Sequence, residues 1–180
     1  MSIMYITRRE VFSASHRLWN PRLTESQNIE LFDKCANANG HGHNFVLEVT
    51  VAAEVRSDTG YAVDFKKLKE LLRTEIIDKV DHKHLNYDVD FLNDVIPTAE
   101  NVVRAFWKVL ASKLREGTLK SIRLHETPLS PLLINVPRPT PEIILPSPEL
   151  VIAVIEVPIS PAFRVVQVLP LSFERSIPSP

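Results

Sequence analysis

A single cysteine, Cys35, leaves this chain without an internal disulfide framework and suits a reducing compartment. An excess of one charge is lacking too. Twenty-one Lys and Arg against 22 Asp and Glu give a net charge of −1, which makes no general electrostatic case for nucleic acid or an anionic membrane. Met1–Glu10 has no long apolar segment, so no secretory signal is expected and the cytoplasm is the default location. Apolar runs such as Leu150–Ile155, bounded by Glu149 and Glu156, fall far short of the ~20 residues of a membrane span. Neither a dinucleotide fingerprint nor a phosphate-binding glycine loop is present, and no repeat recurs at a fixed period.

What is present centres on His41-Gly42-His43. From Phe45 onward, Phe45, Leu47, Val49 and Val51 alternate with mostly polar or small residues, the period of a half-buried strand. His41 and His43 share that parity, so both imidazoles project to one side. Gly40 and Gly42 let other groups approach the backbone there. Two co-facing imidazoles are a bidentate start on a metal site.

In chain order, Tyr5 to His16 predicts a strand with Phe12, Ala14 and His16 on one face. Thr24 and Gln27 form a capping box for a short helix through Leu31 and Phe32 that leads into Cys35. The second strand spans about 42–54, and Tyr61–Val63 is expected to be briefly extended. Asp64 caps a long helix whose inward residues are Phe65, Leu68, Leu72, Ile76 and Val80, ending near Asp81. An irregular segment runs to Pro97. Thr98 then caps a second helix with Ala99, Val102, Val103, Phe106, Leu110 and Leu114 on one stripe, and Gly117 lies past its end. Ser121–Thr127 predicts a third strand carrying Ile122, Leu124 and Glu126 on one parity. The fold class is α+β, an antiparallel sheet with two helices on one face.

Residues 1–127 make one domain. Residues 128–180 hold 12 of the 14 prolines and no glycine, lysine or aspartate, which predicts a poorly ordered proline-rich apolar tail rather than central strands.

The candidate chemistry follows from these placements. A catalytic zinc takes three protein ligands and keeps a fourth position open. His41 and His43 supply two, and His16 on the neighbouring strand is the natural third. Cys35 precedes an Asn-rich loop, which suits a mobile base better than a ligand. Asp81 next to His82 can orient the ring and support proton transfer. Glu126 points inward, where a ligand with paired N–H donors would compensate its charge. His84 and His125 are assigned structure or surface.

Five motifs carry a resemblance: Val11–Leu18, Cys35-x5-His41-Gly42-His43-Asn44, Asp81-His82-Lys83-x-Leu85-Asn86, Pro97–Asn101 and His125-Glu126-Thr127. Together they make residues 3–127 similar to the 6-pyruvoyltetrahydropterin synthase family. The resemblance implies a tunnelling fold, in which sheets from three subunits join into a barrel and two trimers stack as a hexamer. It implies zinc on His16, His41 and His43, Cys35 as proton-abstracting residue, and Asp81 and His82 completing the site from a neighbouring subunit. Glu126 would anchor the pterin ring, with Thr98 near it. The implied reaction converts 7,8-dihydroneopterin triphosphate to 6-pyruvoyl-tetrahydropterin with loss of triphosphate. The related 6-carboxytetrahydropterin synthase branch of queuosine biosynthesis is the alternative, and the five-residue spacer after Cys35 resembles the pyruvoyl branch. A non-catalytic zinc-binding assembly module is the reading from another class, and the set Cys35, Asp81, His82 and Glu126 argues against it.

Overall fold

The computed structural model describes residues 3–127, 130–135 and 152–155. Two 14-residue strands, β1 (Ile3–His16) and β2 (His41–Glu54), pair antiparallel along their whole length, with Phe12 opposite Phe45, Ala14 opposite His43 and His16 opposite His41. On the other side of β2 lies a third long strand (Thr118–Thr127), and a two-residue strand, β3 (Lys83–His84), runs parallel to β1 at Ala14 and Ser15. Numbering in chain order makes the third long strand β4; β5 (Ser130–Asn135) and β6 (Ile152–Ile155) extend the sheet, whose order is β3-β1-β2-β4-β5-β6.

Period-two alternation puts Phe12, Ala14, Phe45, Leu47, Val49, Val51, Leu119, Ile122 and Leu124 on one face, all buried. Phe12 and Phe45 stack with centroids 4.9 Å apart, and Phe106 meets Phe12 edge-on at 6.1 Å. The two longer helices cover this face, and a short one lies outside the core. α1 (Glu25–Phe32) starts at the Thr24–Gln27 capping box. α2 comprises Phe65–Leu72, a wide π-turn over Arg73–Ile77 and a last turn Asp78–Val80, and Asp64 caps it by accepting from Lys66 N and Lys67 N. Leu68, Leu72, Ile76 and Val80 are spaced at four, which in an ordinary helix would rotate the stripe by about 40° per step. The π-turn absorbs that drift, and all four stay buried. α3 (Ala99–Lys113) is capped by Thr98, whose hydroxyl accepts from Asn101 N. Its Val102, Val103, Phe106 and Leu110 join the same core as the sheet. Among the described residues no helix is long and apolar enough to cross a membrane.

The α+β class and the two-helix cover are as expected from the sequence. Several details differ. Tyr61–Val63 forms no strand, because Gly60 N donates to Arg56 O and Arg56 N to Tyr61 O, closing a turn instead. The irregular segment before Pro97 contains β3 and a 3₁₀ turn, Asp90–Leu92. Within the stretch expected to be tail, Ser130–Asn135 continues the sheet beside β4, with Pro131 opposite His125. The remainder of the expected tail lies outside the described residues apart from β6.

Candidate active site

Three histidines meet because of strand register. Directly opposed residues of an antiparallel pair point to the same face. His16 opposite His41, and Ala14 opposite His43, therefore group the three rings at one end of the sheet. Their centroids are 4.5 Å (His16–His41), 5.3 Å (His16–His43) and 4.8 Å (His41–His43) apart. Phe45 lies beneath, edge-on to His16 at 5.9 Å and His43 at 5.6 Å. The turn before β2 makes the approach possible. Gly40 has φ +70°, and a Cβ there would stand 2.7 Å from His16 O and 3.0 Å from His84 Nε2.

Glu126 enters from β4. Its Oε1 lies 3.0 Å from His16 Nε2 and 3.4 Å from His43 Nε2. One donor atom from each of His16, His41, His43 and Glu126 falls within 4.8 Å of the others, a group that could hold a metal ion. The ligand edges of a tetrahedral zinc site are roughly 3.3 Å. His16, only 1% exposed, places Nδ1 2.8 Å from Pro97 O. That carbonyl can only accept, so Nδ1 carries the proton and Nε2 presents a lone pair to the cluster. Locking an imidazole through its outer nitrogen is how protein sites orient metal-binding histidines. His41 Nδ1 and His43 Nε2 are likewise buried without a hydrogen-bond partner. Convergent lone pairs beside a carboxylate oxygen repel unless a cation lies among them, so the donor set fits a metal.

Charge behaves accordingly. Burial, then the neighbouring imidazoles His16 and His43, hold His41 below its ordinary pKa, and burial lowers that of His43 despite the opposing Glu126. Both are thereby kept neutral, the form that binds metal. A proton on His16 Nε2, present only when that ring is charged, makes the contact that is the largest cause lowering the Glu126 pKa against its own desolvation.

Cys35 sits on a 3₁₀ turn, Asp33–Ala36, which follows α1. Leu18 N donates to Cys35 O at 2.9 Å, and Arg17 Nε donates to Ala36 O at 3.0 Å. Partial burial raises the Cys35 pKa, and the carboxylates of Glu126 and Asp33 add to it. Asp81 Oδ1 accepts from Ser13 N at 2.8 Å and its Oδ2 stands 3.0 Å from His82 Nδ1. The Ser13 contact is the largest cause of the lowered Asp81 pKa. His82, at φ +57°, has a side chain 80% exposed, so its ring projects into solvent while Asp81 stays against β1. Thr98 caps α3, one peptide from the carbonyl that holds His16.

The structure thus groups His16, His41, His43 and Glu126, and leaves the Asp81–His82 pair outside that cluster. Glu126's place among the imidazoles was within reach of strand parity and the Val46–His125 register pair. The parts played by Pro97 O, Arg17 and Asn86 carry no local signal.

Comparison with known proteins agrees with this geometry. The family model for 6-pyruvoyl tetrahydropterin synthase matches residues 5–134. The chain is 37% identical over 138 residues to the 6-pyruvoyl tetrahydrobiopterin synthase of Drosophila melanogaster, covering 76% of this chain and 82% of that one. A more distant similarity, 30% over 132 residues, covers 60% of this chain and 79% of a 6-carboxy-5,6,7,8-tetrahydropterin synthase from Aquifex aeolicus. The solved Caenorhabditis elegans 6-pyruvoyl tetrahydropterin synthase superposes with a TM-score of 0.67 at 38% identity, over 71% of this chain and 91% of that one. With its fold and most of its length matched, this chain belongs to the 6-pyruvoyl tetrahydropterin synthase family.

Proposed function

We propose that the chain is a zinc-dependent 6-pyruvoyltetrahydropterin synthase, a cytoplasmic lyase. It acts on 7,8-dihydroneopterin triphosphate, expels triphosphate and leaves 6-pyruvoyl-tetrahydropterin. The observation that carries the metal part is the convergence of His16 Nε2, whose tautomer Pro97 O sets, with two more partnerless imidazole nitrogens. Those three nitrogens would hold the zinc, which when bound supplies Lewis-acid stabilisation of charge developing on substrate oxygens.

The chain's own groups account for the proton traffic. Cys35 carries a thiol whose pKa is raised by burial and by Glu126 and Asp33, so it holds its proton until positive charge stands nearby. With that charge present it acts as the base that removes a proton from the substrate side chain. Asp81 stays ionised and orients His82, which passes a proton at the opposite side of the reacting carbons. Glu126 reaches the cluster with Oε1, which leaves its second carboxylate oxygen to accept from pterin N–H donors. Thr98 closes the same wall through its cap on α3. The family resemblance, together with the exposed His82 side chain, supports drawing Asp81 and His82 into the site from a second copy of the chain in a trimeric or hexameric homo-oligomer.

Incubating purified protein with dihydroneopterin triphosphate and identifying the product by mass spectrometry tests the assignment. Pyruvoyl product is expected. Carboxy product would move the chain to the 6-carboxytetrahydropterin synthase branch, and no turnover would favour a zinc-binding assembly module.

A further inference from the structure

We propose that Arg17 is a positioning residue for the Cys35 thiol, acting through its Nε–H on the carbonyl of Ala36. This rests on the reading of Cys35 as the proton-abstracting group. Residues 17 and 18 follow His16 directly, and both hold the Cys35 turn. Leu18 N takes the Cys35 carbonyl, and Arg17 Nε takes the next one. Two consecutive carbonyls of the turn are therefore fixed to the backbone that leaves the most buried imidazole of the cluster. The brace is itself held. Asn86 Oδ1 accepts from Arg17 N at 2.8 Å and Asn86 Nδ2 donates to Arg17 O at 2.9 Å. The guanidinium lies over the Trp19 ring, 3.7 Å from its centroid, which fixes the plane in which Nε–H points.

The turn needs such a hold. It is entered through Asp33 at φ +46° and ψ −126°, a region that side-chain-bearing residues adopt only when their surroundings impose it. Released from Arg17, the backbone can relax toward an ordinary conformation and carry the thiol with it. A shift of about 1 Å in a reacting group costs on the order of a hundredfold in rate.

Two substitutions isolate the donor. In Arg17→Gln the amide nitrogen stands the same number of bonds from the backbone as Nε. In Arg17→Met a methyl group takes that place, and both variants lose the positive charge. The lone cysteine makes alkylation by iodoacetamide, followed by mass spectrometry, a direct report on Cys35. In Arg17→Met, with metal content unchanged, alkylation is expected to rise several-fold, kcat to fall by about tenfold or more, and KM to stay within about threefold. Arg17→Gln should recover most of both. Equal impairment of the two variants, or a loss carried by KM, would show that the guanidinium charge is what matters and would overturn the proposal. Unchanged alkylation in Arg17→Met would overturn it with the role of Cys35 intact. Full turnover by Cys35→Ala would overturn it through the reading beneath it. Should Arg17→Met not fold, Asn86→Ala releases the same backbone, and unaltered alkylation there would count equally against the brace.

Discussion

His16 differs from the other two imidazoles in having its tautomer dictated by the fold, through Pro97 O. Removing His43 should leave that arrangement standing yet take one nitrogen from the cluster, so His43→Ala is expected to lose the metal by elemental analysis. Cys35→Ala removes a thiol braced outside the cluster. It should retain metal and fold while turnover falls by about 10²–10⁴-fold; loss of metal from that variant would make the thiol a ligand instead. The metal-free chain should also respond to acid in a defined direction. Burial and neighbouring rings keep His41 and His43 neutral below their ordinary pKa of 6.5, whereas the unfolded chain takes up those protons. The unfolded state then binds more protons than the native one, so stability falls as pH drops below 6.5. Glu126, held below its ordinary 4.5, adds a separate loss only in stronger acid. Thermal unfolding of chelator-stripped protein between about pH 7.5 and 5.5 should show a falling Tm, shallower in His41→Gln. A flat or rising Tm would refute the assignment of buried neutral rings.

Elements differ in how much of them the sequence discloses. Strand parity is a local property with a period of two, so the common face of Phe12, Ala14 and His16, and that of His41, His43 and Phe45, are legible from the order of residues alone. Helix caps at Thr24, Asp64 and Thr98 are equally local. β3 is not legible, since its two residues become a strand only by lying beside Ala14 and Ser15. Nor is the tether of His16, whose partner carbonyl is 81 residues away. The hold on the Cys35 turn escapes for the same reason, because Arg17 and Leu18 reach its carbonyls from the far end of β1. Between these extremes stands the turn into β2. Gly40→Ala forces a side chain into φ +70° with its Cβ against the His16 carbonyl, so about 2–4 kcal/mol of stability and the metal should be lost together. Gly117, at φ +77°, is as intolerant, since a Cβ there would stand 2.7 Å from Val51 Cγ1, but it lies just before β4, remote from the cluster. Gly117→Ala should lower Tm comparably while the surviving folded protein keeps its metal. Metal retention by Gly40→Ala at full occupancy would separate the turn from the site.

For the molecule as a whole, the sheet is unfinished on the β1 side among the described residues. β3 covers β1 at Ala14 and Ser15, and Asp81 and His82 N engage Ser13, which leaves the backbone from Ile3 to Phe12 as an edge among the described residues, with Ile3, Met4, Tyr5 and Val11 exposed along it. An open edge of that length invites another strand, and the homo-oligomer proposed above would supply one from a second copy of the chain. The same assembly would give the exposed His82 ring, oriented by an Asp81 that Ser13 N holds against β1, a place in a neighbouring site. If each site takes Cys35 from one chain and the Asp81–His82 pair from another, two inactive variants should complement. Mixing Cys35→Ala with His82→Ala in equal amounts, under conditions that let subunits exchange, yields sites of four kinds. Random association gives roughly a quarter of them both wild-type groups, and turnover should recover to about that fraction. Neither parent alone should exceed its own residual rate. Native mass spectrometry would establish that mixed oligomers had formed. Mixed assemblies that stay inactive would place the whole proton-transfer set within a single chain and leave the exposed His82 without a catalytic part.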